Sequence, residues 1–318
     1  MKKISIVVPC LNEQEVLPIY YENMKKIMGQ MEHAAFELLF VDDGSADGTL
    51  EILRKLSSQD ERCGYLSFSR NFGKEAALFA GMEYAQGDYI AVMDADLQDP
   101  PEMIPVMYEE LEKGEYDCVA ARRTDRKGEK KIRSFFSDVF YRTLNRISKV
   151  PVVEGARDFR MMKRKVADSV LRLRECNRFS KGMFSWVGYS TKWLEYPNVE
   201  RAAGRTKWSL KKLFKYSMDG VLGFSTLPLS ISSYGGILFC GIAFLTICVL
   251  IVRYIIWHDP VQGWTTLMCA IFFIGGVQLL CAGILGQYLA RMYMEVKRRP
   301  IYLLKETWKD GENEDLHI

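Results

Sequence analysis

Two uninterrupted apolar stretches, Ile231–Val252 and Thr265–Ala290, constrain this chain more than any other feature. Crossing the hydrocarbon core of a bilayer takes about 20 helical residues, and each stretch reaches that length. Only Arg253–Gly263, holding His258, Asp259 and Pro260, separates them, so the spacing predicts a helical hairpin. Lys207, Lys211, Lys212 and Lys215 precede the first run, and Lys297-Arg298-Arg299 follow the second. Basic flanks of this kind predict that both ends stay on the cytoplasmic side. Two buried helices of a large soluble core are the alternative, disfavoured by run length and flanking charge.

The first 120 residues have a different rhythm. Short apolar runs at Ile4–Pro9, Phe36–Asp42, Tyr65–Phe68, Tyr89–Asp94 and Asp117–Ala121 predict strands. Amphipathic stretches at Glu15–Met31, Gly48–Leu56, Lys74–Tyr84 and Glu102–Leu111 predict helices between them. Such alternation gives an α/β unit with a Rossmann-like, mostly parallel sheet and helices on both faces. Ligands then sit beyond the carboxyl ends of the strands. The turns Pro9–Glu13, Asp42–Thr49, Arg70–Lys74 and Asp94–Asp99 lie there. From Arg122 to about Pro197 the pattern is less regular, apart from a strand at Ser190–Tyr196. Lys207–Tyr216 interleaves four lysines with Trp208, Leu210, Leu213, Phe214 and Tyr216, as an interfacial helix on an anionic membrane would. The expected organisation is a cytoplasmic α/β domain over 1–205, a juxtamembrane amphipathic segment over 206–230, the two spans within 231–290, and a cytoplasmic tail over 291–318. The tail turns acidic after Lys309, which predicts disorder at its end.

Composition narrows the class. Lys and Arg total 43 against 40 Asp and Glu, a net charge of +3 in 318 residues, and no basic arm is present. Nucleic acid is therefore not an expected partner. The eight cysteines occur singly, without a C-x-x-C pair, which fits a reduced, cytoplasm-facing protein. The start, MKKISIVVP, reads as a first buried strand and not as a signal peptide. His33, His258 and His317 fit no catalytic arrangement.

Chemistry concentrates at the predicted strand ends. Tyr89–Pro101 reads YIAVMDADLQDPP, an apolar strand running into Asp94-Ala95-Asp96. Alternate strand residues face the same way, which predicts both carboxylates on one side. Like charges held that close call for a cation, and oxygen ligands suit Mg²⁺ or Mn²⁺ bridging to phosphates. An acidic turn capping the helix after Pro100-Pro101 is the plainer reading. Val8-Pro9-Cys10-Leu11-Asn12-Glu13 and Val41-Asp42-Asp43-Gly44-Ser45 end two other strands. Their acids can accept hydrogen bonds from a base or ribose. They also suit helix capping, as does Ser45-Ala46-Asp47-Gly48-Thr49.

In their order and spacing these three motifs make the chain resemble the family-2 inverting glycosyltransferases of GT-A fold. Ser69-Arg70-Asn71-Phe72-Gly73-Lys74, Asp94–Glu102 and Arg201-Ala202-Ala203-Gly204-Arg205-Thr206-Lys207-Trp208 resemble the polyprenyl-phosphate branch of that family. That branch includes dolichol-phosphate mannose synthase and bacterial bactoprenol glucosyltransferases. The paired C-terminal runs resemble the bacterial type. The resemblance implies that Pro9, Asn12, Glu13 and Asp43, with Asp94, surround the nucleotide. It implies that Asp94, Asp96 and Gln98 hold Mg²⁺ or Mn²⁺. Arg122, Arg133, Ser137, Arg201 and Lys207 are implied for the donor and acceptor phosphates, Arg201 and Lys207 also for catalysis. Asp158, in Gly155-Ala156-Arg157-Asp158-Phe159-Arg160, matches the candidate catalytic carboxylate, as base or positioning group. A structural ion pair of Asp158 with Arg157 or Arg160 is the competing assignment.

The expected activity is inverting transfer of one sugar, from a UDP-hexose or similar nucleotide sugar, to undecaprenyl or another polyprenyl phosphate at the inner face of the plasma membrane. The resemblance also brings in a homo-oligomer, a flippase and a downstream glycosyltransferase as partners. A processive polysaccharide synthase would carry Q-x-x-R-W and more spans, whereas Arg174-Glu175-Cys176-Asn177-Arg178-Phe179 does not supply that motif. An inactive scaffold or flippase partner is a further rival, opposed by intact Asp94, Asp96, Arg201 and Lys207.

Overall fold

The computed structural model describes residues 1–123, 153, 156–197, 227–257 and 263–309. The chain separates into two units, Met1–Gly220 with Pro300–Ile318, and Val221–Arg299.

In the first unit, β1 (Lys2–Cys10) and β2 (Ala34–Asp42) are buried along almost their whole length, because helices cover both of their faces. β3 (Cys63–Phe68) and β4 (Tyr89–Val92) pair in parallel with β2 and β1 respectively. Tyr20 and Met24 of α1 (Leu17–Gln30), Leu53 of α2 (Thr49–Gln59) and Met107 and Leu111 of α4 (Met103–Glu112) pack with Ile4, Ile6, Val8, Leu38 and Phe40 in one core. The alternate residues Val7 and Val41 face α3 (Lys74–Tyr84) on the other side. The predicted bounds of α3 and the observed ones coincide, and those of the other three helices differ by at most three residues at an end.

The rest of the unit departs from expectation. β5 (Cys118–Arg123) is followed by β6 (Ala156–Lys163), then α5 (Arg164–Leu171), α6 (Ser180–Trp186) and β7 (Thr191–Tyr196). β6 inserts between β4 and β5, antiparallel to both. The eight-stranded order is β7-β5-β6-β4-β1-β2-β3-β8. The sheet is therefore mixed, parallel at its centre, and the stretch expected to be irregular contributes a central strand. A second departure is β8 (Leu304–Thr307), which pairs antiparallel with β3. Part of the expected tail thus belongs to the sheet, where it covers an otherwise open edge. A third is local: β4 stops at Val92, so Asp94 and Asp96 lie in the loop beyond it. Met93 still donates to the Val7 carbonyl, but the chain then turns, with Leu97 at φ 54°.

The second unit contains α7 (Leu227–Trp257) and α8 (Trp264–Val296). Phe239 meets Phe273 edge to face at 5.5 Å, and Cys281 Sγ lies 3.9 Å from the Ser232 carbonyl. These pairings run in opposite directions along the two helices, which are antiparallel. Among the described residues, Phe273–Val296 of α8 is long and apolar enough to cross a bilayer, with mean hydropathy 1.5. α7 contributes a shorter apolar stretch, Tyr234–Thr246.

Candidate active site

The first two motifs interlock. Asn12, held at φ 51°, donates its backbone N–H to Ser45 Oγ and accepts from Ala46 N–H at its side-chain oxygen, both at 2.8 Å. Glu13 N–H donates to Thr49 Oγ1, and Gly48 N–H to Gln14 Oε1, also at 2.8 Å. Gly44 closes the same region at φ 69°; a Cβ there would stand 2.6 Å from the Arg70 carbonyl carbon, so only glycine fits. Pro9 is half-buried at the end of β1 and Glu13 half-buried just beyond.

Asp43 faces inward and is 3% exposed. Its carboxylate accepts N–H groups of Phe72 at 2.6 Å and Gly73 at 3.0 Å. Burial raises its pKa, opposed by those two amides. Asp43 thus fixes the loop between β3 and α3, and its oxygens cap neither α2 nor α3.

That loop delivers Lys74 to the centre of the site. Lys74 Nζ lies 2.7 Å from Asp94 Oδ1 and 2.6 Å from Asp158 Oδ2. Three elements meet there: the start of α3, the loop after β4, and β6. Burial pulls the Lys74 pKa down, but the carboxylates of Asp158 and Asp94 outweigh it and hold the ammonium charged. Burial pushes Asp158 up, and Lys74 with Lys181 overcomes this, leaving its carboxyl well below the usual range. Asp158 is therefore a carboxylate whose partner is neither Arg157 nor Arg160. Arg157 Nε pairs with Asp99 at 3.2 Å. Arg160, 3% exposed, donates to the backbone carbonyls of Asp158 and Arg157 and lies 3.9 Å over the Phe184 ring.

The remaining candidates are distributed as follows. Asp96 accepts the Gln98 N–H at 3.1 Å, in a local turn. Arg122, at the carboxyl end of β5, stands 3.8 Å from Glu195 on β7. Arg133, Ser137, Arg201 and Lys207 lie outside the described residues. Asp99, 1% exposed, was not singled out by sequence; it also accepts from the Tyr196 hydroxyl, so the loop after β4 is tied to β6 and β7. Lys74 was likewise missed as a site residue, although a signal existed. A cation in the first turn opposes the helix dipole, so something else must hold it there.

A divalent ion fits the acidic loop on the chemistry of its donors: Asp94 and Asp96 are two carboxylates in one loop, and Asp94 already draws a cation, the Lys74 ammonium, to 2.7 Å. Among the described residues no three His, Cys, Asp or Glu side chains converge on one point. Two carboxylates plus diphosphate oxygens make a customary Mg²⁺ set, so a third protein acid is not required.

The glycosyl transferase family 2 profile matches residues 5–171. The chain belongs to glycosyltransferase family 2. The prophage-derived bactoprenol glucosyl transferase of Shigella flexneri is 40% identical over 305 residues, 96% of this chain and 98% of that one. A prophage bactoprenol glucosyl transferase homolog of Escherichia coli K12 is 40% identical over 96% of this chain and all of its own. An uncharacterized glycosyltransferase of Bacillus subtilis is 43% identical over 96% and 94%. Among solved structures, a Mycobacterium tuberculosis glucosyl-3-phosphoglycerate synthase covers 70% of this chain and 78% of its own at 18% identity and TM-score 0.47, a likeness too slight to bear on function. The protein is a glycosyltransferase, and the Lys74–Asp94–Asp158 cluster lies at the carboxyl edge of its sheet, where such folds bind ligands.

Proposed function

We propose that this glycosyltransferase moves one hexose from a UDP-sugar to a polyprenyl phosphate at the cytoplasmic membrane face, with inversion. The observation that carries the reading is the meeting of Lys74, Asp94 and Asp158 at one point. The names of the bactoprenol relatives supply the acceptor class. An oxygen of the acceptor phosphate attacks the anomeric carbon, the bond from that carbon to the diphosphate oxygen breaks, and UDP leaves with the electron pair. A phosphate monoester is already anionic near neutral pH, so little proton abstraction is needed. Asp158 positions the acceptor; held ionised by Lys74, it is a weak base, which favours the positioning role over proton abstraction. Lys74 keeps Asp158 ionised and sets it against Asp94. Pro9, Asn12, Glu13 and Asp43 shape the nucleotide end, Asn12 and Asp43 through the loops they tie. Arg122, Arg133, Ser137, Arg201 and Lys207 supply cations and a hydroxyl to the phosphates, arginine through its two-pronged fork. Asp94, Asp96 and Gln98 would hold Mg²⁺ or Mn²⁺, whose chemistry there is neutralisation of charge on the departing diphosphate.

The membrane reading completes the proposal. Residues 231–252 and 265–290 cross as two spans, 206–230 lies at the interface, and both 1–205 and 291–318 are cytoplasmic. Its support is the apolar stretch of α8 and the basic flanks of both runs. A homo-oligomer, a flippase and a later glycosyltransferase are the partners such a lipid product calls for. The test is donor profiling with membranes supplemented with undecaprenyl phosphate, reading the lipid product by mass. Sugar transfer to water, or to a growing polysaccharide, in place of the lipid phosphate would overturn the reading.

A further inference from the structure

The strand that follows the helical unit does more than cover an edge. Arg54 of α2 forks onto Glu306 at 2.8 and 2.6 Å, and Trp308 N–H donates to the Tyr65 carbonyl at 3.1 Å. The Trp308 indole lies so close to Gly64 that a Cβ there would be 2.9 Å from it. These contacts anchor the far end of β8. The near end is different, because it reaches the loop that ends at Lys74. Ser69 N–H donates to the Leu303 carbonyl at 2.9 Å. The Tyr302 ring stacks on Phe68 with centroids 5.0 Å apart and planes at 18°, and its hydroxyl donates to Glu83 at 2.6 Å. Phe68 in turn meets Phe72 edge to face at 5.7 Å, and Phe72 N–H is one of the two amides gripped by Asp43. Two residues further on stands Lys74.

We propose that Tyr302 is a positioning residue for sugar transfer: it fixes the Ser69–Gly73 loop through Phe68, and that loop sets Lys74 between Asp94 and Asp158. The inference rests on the reading of that cluster as the transfer site. The loop has one inner tether, Asp43, and one outer tether, the stack of Tyr302 on Phe68 with the Leu303 hydrogen bond. Loss of the outer tether frees the loop to swing about Asp43 while the sheet stays intact. A displacement of about 1 Å at a reacting group can cost around a hundredfold in rate.

The experiment uses the full chain in detergent or nanodiscs, with three variants. Tyr302→Ala removes the stack, Tyr302→Phe keeps it and loses only the Glu83 bond, and Arg54→Ala loosens the far end of the same strand. Hydrogen exchange at the Ser69, Phe72 and Gly73 amides is read alongside kcat, KM and thermal midpoint. Tyr302→Ala should speed exchange at those amides and lower kcat by about ten- to a hundredfold, with little change in donor KM. Tyr302→Phe should restore both, and Arg54→Ala should leave kcat within about twofold. Unchanged exchange in Tyr302→Ala overturns the link whatever the activity, and so does an equal loss of kcat in Arg54→Ala. Faster loop exchange in a protein whose wild type transfers no sugar to polyprenyl phosphate would overturn the proposed function and leave the mechanical link standing.

Discussion

The Lys74 ammonium lies 2.6 Å from the Asp158 carboxylate, across 84 residues of sequence. The same ammonium touches Asp94, which follows a different strand. Without it, two carboxylates would face each other with only partial access to water, their side chains being 24% and 21% exposed. Their repulsion would raise one pKa and spread the pair.

Replacing Lys74 by Met keeps length and removes charge. Turnover should fall by at least about tenfold, equivalent to roughly 1.4 kcal/mol of barrier. Stability should suffer less than for a sealed ion pair, because all three side chains reach water. Steady-state kinetics beside a thermal melt will check this; a Met variant with wild-type kcat would remove Lys74 from the site.

Metal removal provides a second check. Excess chelator should abolish transfer, and Mg²⁺ or Mn²⁺ should restore it. Asp96→Asn should lose both activity and the Mn²⁺ spin-resonance signal shift expected of the wild type with UDP, since an amide lacks the charge that holds the ion. Full transfer by Asp96→Asn in chelator would sink the assignment.

The phosphate-binding cations can be separated from a general basic patch. Arg201→Ala and Lys207→Ala should each cost about 1.5–3 kcal/mol, roughly ten- to a hundredfold in turnover. Lys211→Ala and Lys212→Ala should cost about 1 kcal/mol or less, as surface cations near anionic lipid do. Four equal, small losses would assign Arg201 and Lys207 to the membrane surface alone.

Acid stability has an identifiable contributor in the first unit. Arg62 forks onto Asp60 at 2.8 and 2.6 Å, and the Tyr21 hydroxyl adds a third bond at 2.9 Å. Chiefly because of Arg62, the Asp60 carboxyl is lowered from 3.8 to about 2. A depressed carboxyl stabilises the fold above its unfolded value, and that stabilisation is lost as pH falls from about 4 to about 2. Arg62 is 43% exposed, so screening reduces the contribution to about 1 kcal/mol. Asp60→Asn should lose that amount at pH 7 and show a shallower acid limb in denaturant titrations at pH 7, 4 and 2.

The central α/β repeats were legible because their strands are unbroken apolar runs with helix-period segments between them. β6 was not, because Arg157, Asp158, Arg160 and Lys163 break its pattern. The carbonyls of Asp158 and Arg157 and the Phe184 ring receive the buried Arg160 guanidinium, and the strands that flank β6 are not adjacent to it in sequence. β8 is four residues long and half charged, so only the vacant edge of β3 explains it. The acidic loop was found, but its geometry was not: Asp94 and Asp96 lie past the strand, where alternation no longer governs direction. Asp43 was found for an acid's reasons, yet its oxygens serve Phe72 and Gly73.

The mutual hydrogen bonds of Asn12 with Ser45 and Ala46, and of Glu13 with Thr49, have a consequence for anyone re-engineering donor preference. The loops after β1 and β2 form a single inherited block. Grafting one from a relative with another nucleotide would strand amides of the other, each costing about 1–3 kcal/mol where water cannot replace the lost partner. Chimeras should therefore exchange residues 9–14 and 42–49 together, with the Arg70 backbone that Gly44 abuts left in place.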